Sequence, residues 1–167
     1  MCSYASTSFS KDFSYYALTC SGPDPSFTRL YKTESNTLIY SWQENTETRK
    51  TLAEEYDLPT IKIFNVPIEG TKFEAAVKCQ IPSEIDLNAS TFTQKHALLI
   101  RVYGGPGSLR VMDSFGIGYQ SYLITTKKVV HCEIDGRGTA NKGIDLMFSV
   151  NNKLGTYEMD DQISITK

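Results

Sequence analysis

Tyr103 stands at the mouth of a glycine-rich loop, Gly104-Gly105-Pro106-Gly107, directly after the apolar run Leu98-Leu99-Ile100-Arg101-Val102. A loop of this kind is a common source of oxyanion donors, and a tyrosine hydroxyl serves as one if it is aimed at the developing negative charge. Acyl transfer also needs a nucleophile. In an α/β hydrolase that nucleophile is a serine in a GxSxG turn between strand and helix, and no serine of this chain lies in such a pentapeptide. His131 falls within a strand pattern and His96 just before one, so no triad is assembled from these residues.

Nucleotide binding fails on its own chemistry. Gly136-Arg137-Gly138 follows a strand, but Asn141 occupies the place where GxGxxG needs its third glycine. Gly138 and Gly143 have P-loop separation, yet Ile144 and Asp145 stand where Lys and Ser/Thr belong, leaving no cation for terminal phosphates. A plain structural reading competes with both. In it the glycines make turns, Tyr103 packs at a strand end, and Arg137 pairs with an acid such as Asp135 or Asp161.

The elements that must position these groups follow two rhythms. Residues 1 to about 82 read as hairpins: strands over 4–9, 13–20, 27–33, 37–43, 60–66 and 72–81, with a short helix over 46–56 whose Leu52 and Tyr56 share a face. Two-strand units with polar turns suggest an all-β module of the propeller-blade kind. From residue 97 the pattern alternates: a strand over 98–103, a helix over 114–125 weakened by Gly116 and Gly118, a strand over 129–135, and helices over 142–154 and from 156. Thr156 reads as an N-cap, with Glu158, Asp160 and Asp161 complementing the first-turn dipole. Apolar strands alternating with helices point to an α/β layer with strands buried on both faces. Composition alone puts the boundary between the halves near residue 82.

Composition narrows the classes of function. Seventeen Lys+Arg against 19 Asp+Glu give a net charge of −2, without the basic excess of a protein devoted to nucleic acid. Apolar runs such as Ala97-Leu98-Leu99-Ile100 stop far short of the roughly 20 residues that span a bilayer. Met1-Cys2-Ser3-Tyr4 has neither the basic start nor the apolar stretch of a secretory signal.

The four cysteines are uneven in what they reveal. In an antiparallel hairpin, facing positions have a constant sum, and a tip centred on Lys11 places Cys2 opposite Cys20. Facing Cα atoms lie roughly 4.5–5.5 Å apart, within disulfide range, so a Cys2–Cys20 bridge is expected. A one-residue change in the turn would instead set Cys2 against Ser21, leaving two thiols. Cys79 and Cys132 sit in apolar strands and read as buried free thiols. With no CxxC pair and no ligand-like spacing to either histidine, a zinc site is not expected. Asn88-Ala89-Ser90 is an N-glycosylation sequon in the 82–96 connection.

Five motifs in order carry a resemblance across nearly the whole chain. They are Ser8-Phe9-Ser10-Lys11; Tyr15-Tyr16-Ala17-Leu18-Thr19-Cys20-Ser21-Gly22-Pro23; Val102-Tyr103-Gly104-Gly105-Pro106-Gly107; Asp135-Gly136-Arg137-Gly138; and Leu154-Gly155-Thr156-Tyr157-Glu158 with Asp161-Gln162. Together they resemble the dipeptidyl peptidase IV family of prolyl oligopeptidase-type serine peptidases. The resemblance implies a mixed α+β chain: residues 1–45 as the C-terminal end of a β-propeller, and 46–167 as the N-terminal part of an α/β-hydrolase domain. This assigns the hairpin around Gly70 to the hydrolase sheet.

By the same resemblance, the parent enzyme releases N-terminal dipeptides with Pro or Ala in second position. It would use no cofactor, form a homodimer, and be secreted or anchored in the plasma membrane as a type II protein. Cys2 and Cys20 match a disulfide of the family, and Tyr103 falls on its oxyanion tyrosine. The nucleophilic serine, its Asp and His partners, and the acidic pair that binds the substrate amine belong to sequence outside these 167 residues. The chain by itself is therefore expected to be inactive and prone to aggregation. The alternative is a non-catalytic derivative that binds other proteins.

Overall fold

A computed structural model describes residues 2–87, 95–103 and 105–167. The sequon at Asn88 lies outside them. The chain forms two compact units, one of residues up to 57 with 113–118, the other of 58–112 with 119–167.

The first unit is a four-stranded antiparallel meander, β1 (Tyr4–Phe9), β2 (Tyr15–Ser21), β3 (Phe27–Lys32) and β4 (Thr37–Gln43), paired in chain order. Its first hairpin turns through four residues rather than around Lys11. Ser10 N–H donates to Tyr15 O, and the Asp12 carboxylate accepts from the Ser10 and Ser14 hydroxyls and the Ser14 N–H. These bonds hold the Asp12 pKa down at about 2. The register is accordingly three greater in sum than a Lys11-centred tip gives: Ala5, not Cys2, faces Cys20. Cys2 lies ahead of β1, yet its Cα is 5.5 Å from that of Cys20 and the two are disulfide-bonded.

Helix α1 (Thr46–Glu55) follows β4. It ends one residue early for the expected Leu52–Tyr56 face, because Tyr56 is already extended. Leu52 is buried and Tyr56 exposed. Arg29 grips Glu44 with two parallel bonds of 2.6 and 2.7 Å, the fork geometry that suits a carboxylate.

The second unit is built on a mixed sheet in the order β5 (Thr60–Pro67), β6 (Glu74–Ile81), β8 (Val130–Asp135), β7 (Leu98–Arg101). β6 pairs antiparallel with both β5 and β8, and β7 runs parallel to β8. Burial is concentrated in the two central strands, while Leu98 and Leu99 of β7 and Ile63 and Phe64 of β5 are exposed. Burial of every strand on both faces, expected from the apolar runs, is therefore confined to the middle of the sheet.

Alternation along the central strands sorts their side chains onto two unlike faces. Ala75, Val77 and Ile134 form the core with Ile68, and Ile165 of α4 (Tyr157–Thr166) packs against it. Cys79 faces Cys132 across β6 and β8, with Cα atoms 4.2 Å apart, and the two are bonded rather than free. Apolar surroundings had argued for thiols; direct opposition in the ladder is what joins them.

Two helices are shorter than their patterns suggest. α2 (Tyr119–Lys127) begins only after Gly116 and Gly118, where glycine entropy disfavours helix. The 142–154 pattern yields only α3 (Ile144–Phe148), after which the backbone turns through Asn152 at φ 57°. Thr156 does precede α4, but its hydroxyl donates to Lys153 O instead of capping. Glu158 reaches back to accept the Gly155 N–H, which lowers its pKa. Asp161 lies deeper in the helix and is buried.

Candidate active-site loop

The face of the sheet opposite the core is polar and holds the loop that follows Tyr103. Lys78, His131 and Asp135 are all at least nine-tenths buried there. Glu133, facing Lys78, lies 3.6 Å from Arg101. Lys78 Nζ donates to Met112 O at 2.6 Å. Asp135, at the C-terminal end of β8, accepts the Arg110 N–H at 2.9 Å and the Val111 N–H at 2.7 Å. A buried carboxylate is tolerated when donors surround it, and these donors are the loop's own backbone.

The loop is pinned a second time further back. Gly107 N–H donates to Gly138 O at 2.9 Å, and Ala140 N–H to Ser108 O at 2.8 Å. The stretch after β7 is thereby tied to the stretch after β8, the end of a sheet where sites of α/β layers form. Gly138 has φ +91°, a conformation that favours glycine, and a Cβ there would crowd Val150 at 3.0 Å.

Tyr103 itself leaves the sheet two residues after β7 and is 43% exposed. Its hydroxyl lies close over the main chain, 3.0 Å from where a Cβ on Gly105 would be. Above its ring sits the Arg110 guanidinium, 4.4 Å from the centroid. Sequence reasoning missed Arg110. No motif marks it, and its position depends on the Asp135 tether.

Arg137 finds its acid in Asp161, not Asp135. Its Nε and Nη2 reach the Asp161 oxygens at 2.6–3.0 Å, and its own N–H donates to the same carboxylate at 2.8 Å. The Tyr157 ring lies 4.2 Å beneath the guanidinium. The Asp161 bond holds the Arg137 pKa above its usual value. A Cβ on Gly136 would meet the Asp161 carboxylate at 2.9 Å, which explains the small residue before Arg137. This cluster ties α4 to the end of β8 and leaves Arg137 engaged away from solvent.

His131 is buried in β8, and burial pushes its pKa below the usual value. The ring of His96 meets Lys128 O at 3.2 Å. Neither histidine is set beside a serine or cysteine nucleophile by these contacts. Among the described residues, no three His, Cys, Asp or Glu side chains gather as a metal site would require.

The chain thus combines a four-stranded antiparallel meander with a mixed sheet, and Tyr103 follows the edge strand β7 of the latter. The dipeptidyl peptidase 4 of Porphyromonas gingivalis superposes on 95% of the chain with a TM-score of 0.82 at 24% identity, over 22% of its own length. Venom dipeptidyl peptidase 4 of Vespula vulgaris is 38% identical over all 167 residues, and dipeptidyl peptidase 4 of Sus scrofa is 32% identical over 166. No protein-family model matches the chain. The 167 residues align over their whole length with these dipeptidyl peptidases 4, and they span about a fifth of the length of each.

Proposed function

We propose that this chain is part of a serine dipeptidyl peptidase in which Tyr103 is one of the oxyanion donors. The observation that carries the reading is the whole-chain similarity to dipeptidyl peptidases 4, with Tyr103 at the head of a loop anchored twice by backbone bonds. In the parent enzyme a serine attacks the carbonyl carbon of the peptide's second residue, passing its proton to a base, and the carbonyl oxygen becomes an alkoxide. The Tyr103 hydroxyl shares that charge with a backbone N–H beside the nucleophile. The intermediate collapses, the C–N bond breaks, the rest of the peptide leaves as a protonated amine, and water then hydrolyses the acyl-enzyme to release the dipeptide. Substrates are peptides with Pro or Ala in second position.

Residues 1–45 close the propeller in this reading, and 46–167 open the hydrolase domain. Asn88 carries a glycan, and the parent is a secreted or membrane-anchored homodimer. The venom names of several relatives favour an extracellular setting. Among the described residues, no helix is long and apolar enough to cross a membrane.

Loss of one oxyanion donor costs about 10²–10³ in kcat. Tyr103→Phe in the full-length enzyme should therefore lower kcat on a Gly-Pro anilide by that factor while KM changes less. Unchanged turnover would refute the role. The 167 residues by themselves contain no GxSxG serine, and one donor without a nucleophile forms no acyl-enzyme. The purified 167-residue polypeptide should release no dipeptide above the inhibitor-blocked background.

A further inference from the structure

The loop after Tyr103 brings a cation to the tyrosine that the oxyanion role by itself does not require. The Arg110 guanidinium lies 4.4 Å from the centre of the Tyr103 ring. Its Nε is buried and finds no hydrogen-bond acceptor among the described residues. None of the ion pairs among those residues includes Arg110. Asp135 binds the Arg110 main-chain N–H and the Val111 N–H. The segment bearing Arg110 is thus held by its backbone, while its charge rests on an aromatic face.

We propose that Arg110 is a positioning residue for Tyr103, fixing the ring and strengthening its hydroxyl as a donor to the developing alkoxide. The inference rests on Tyr103 serving as an oxyanion donor. A cation over a phenol ring is attracted by the ring's negative face. As the hydroxyl shifts its proton toward an alkoxide, negative charge grows on the phenol, and the same cation becomes more favourable. That gain arises at the transition state and is absent from the ground state, which is the condition for an effect on kcat. On the hydroxyl side the ring lies near the Gly105 main chain, where an added Cβ would stand 3.0 Å from the hydroxyl.

The test is a double-mutant cycle in the full-length enzyme, read with a Gly-Pro anilide. Arg110→Met should lower kcat by roughly 3- to 30-fold, with little change in KM. Arg110→Lys, which returns a cation to the ring, should recover most of the loss. In the Tyr103→Phe background, Arg110→Met should change kcat by less than about twofold, because the hydroxyl through which it acts is gone. A merely structural role, or direct contact with substrate, would leave the Arg110→Met loss intact in that background and overturn the proposal. Failure of Lys to recover activity would overturn it as well. Should Arg110→Met not fold, as judged by its melt, Arg110→Gln provides the same comparison. If Tyr103→Phe leaves kcat unchanged, the oxyanion reading falls and takes this inference with it. Loss at Arg110 without coupling to Tyr103 sinks the inference alone.

Discussion

Two arginines in different units each clasp a carboxylate with parallel bonds, and burial separates their consequences. Asp161 has a side chain only 1% exposed, and Arg137 covers both of its oxygens. Removing either partner would strand a buried charge, the arrangement in which breaking a pair is most damaging. Arg29 and Glu44 are each about one-third exposed, so water screens them and what the pair contributes is reduced and pH-dependent. Its effect is on titration. The Arg29 bond, helped by Ser41, holds the Glu44 pKa at about 2 against an ordinary 4.5. A carboxylate with a lowered folded pKa contributes stability that is present above about 4.5 and lost as pH falls through about 2. A carboxyl NMR titration of the folded protein should place the Glu44 midpoint near pH 2; a midpoint near 4.5 would show that the fork does not persist in solution.

At the level of elements, β8 organises the second unit. Its inward side chains make the core, its opposite side holds Asp135 under the loop that follows Tyr103, and Cys132 fastens it to β6. The Cys79–Cys132 bond closes a separation of 53 residues, and native disulfides of that kind are typically worth about 2–4 kcal/mol through restriction of the unfolded chain. Replacing both cysteines with serine should lower the unfolding free energy from denaturant titration by that amount, seen as a lower midpoint, whereas an unchanged midpoint would mean the bond is not formed. This bond was beyond sequence reasoning because the two cysteines lie on strands 53 residues apart in the chain. Only the pairing of β6 with β8 sets them opposite one another. The Cys2–Cys20 separation is local and so could be anticipated, although the turn chemistry around Asp12 moved the register by three.

On the scale of the whole molecule, large apolar side chains remain in solvent on the outer strands. Leu38, Ile39, Tyr40 and Trp42 on β4 are about half exposed, as are Leu98 and Leu99 on β7. β4 and β7 are edge strands of their sheets. Exposed, apolar edges recruit other chains. The purified 167-residue polypeptide should therefore elute as soluble aggregates in size-exclusion light scattering, and Leu99→Lys should shift it toward monomer. A monodisperse monomer without the substitution would count against this reading of the edges.

What the linear order of residues determined by itself is whatever depends on near neighbours. Strand and turn alternation placed β1 to β8 within a few residues, because side chains of a strand report their face at every second position. The five motifs pointed to the peptidase family, and Tyr103 stood out because a strand, a tyrosine and a glycine loop are contiguous. What only the tertiary structure decided is everything that needs two distant segments to meet. The choice of Asp161 over Asp135 for Arg137, the Cys79–Cys132 bond, and Arg110 over Tyr103 all belong there. Each is fixed by which strands pair and by where buried carboxylates find their donors. Local periodicity carries no record of either, since pairing and burial are settled by the packing of the folded sheet.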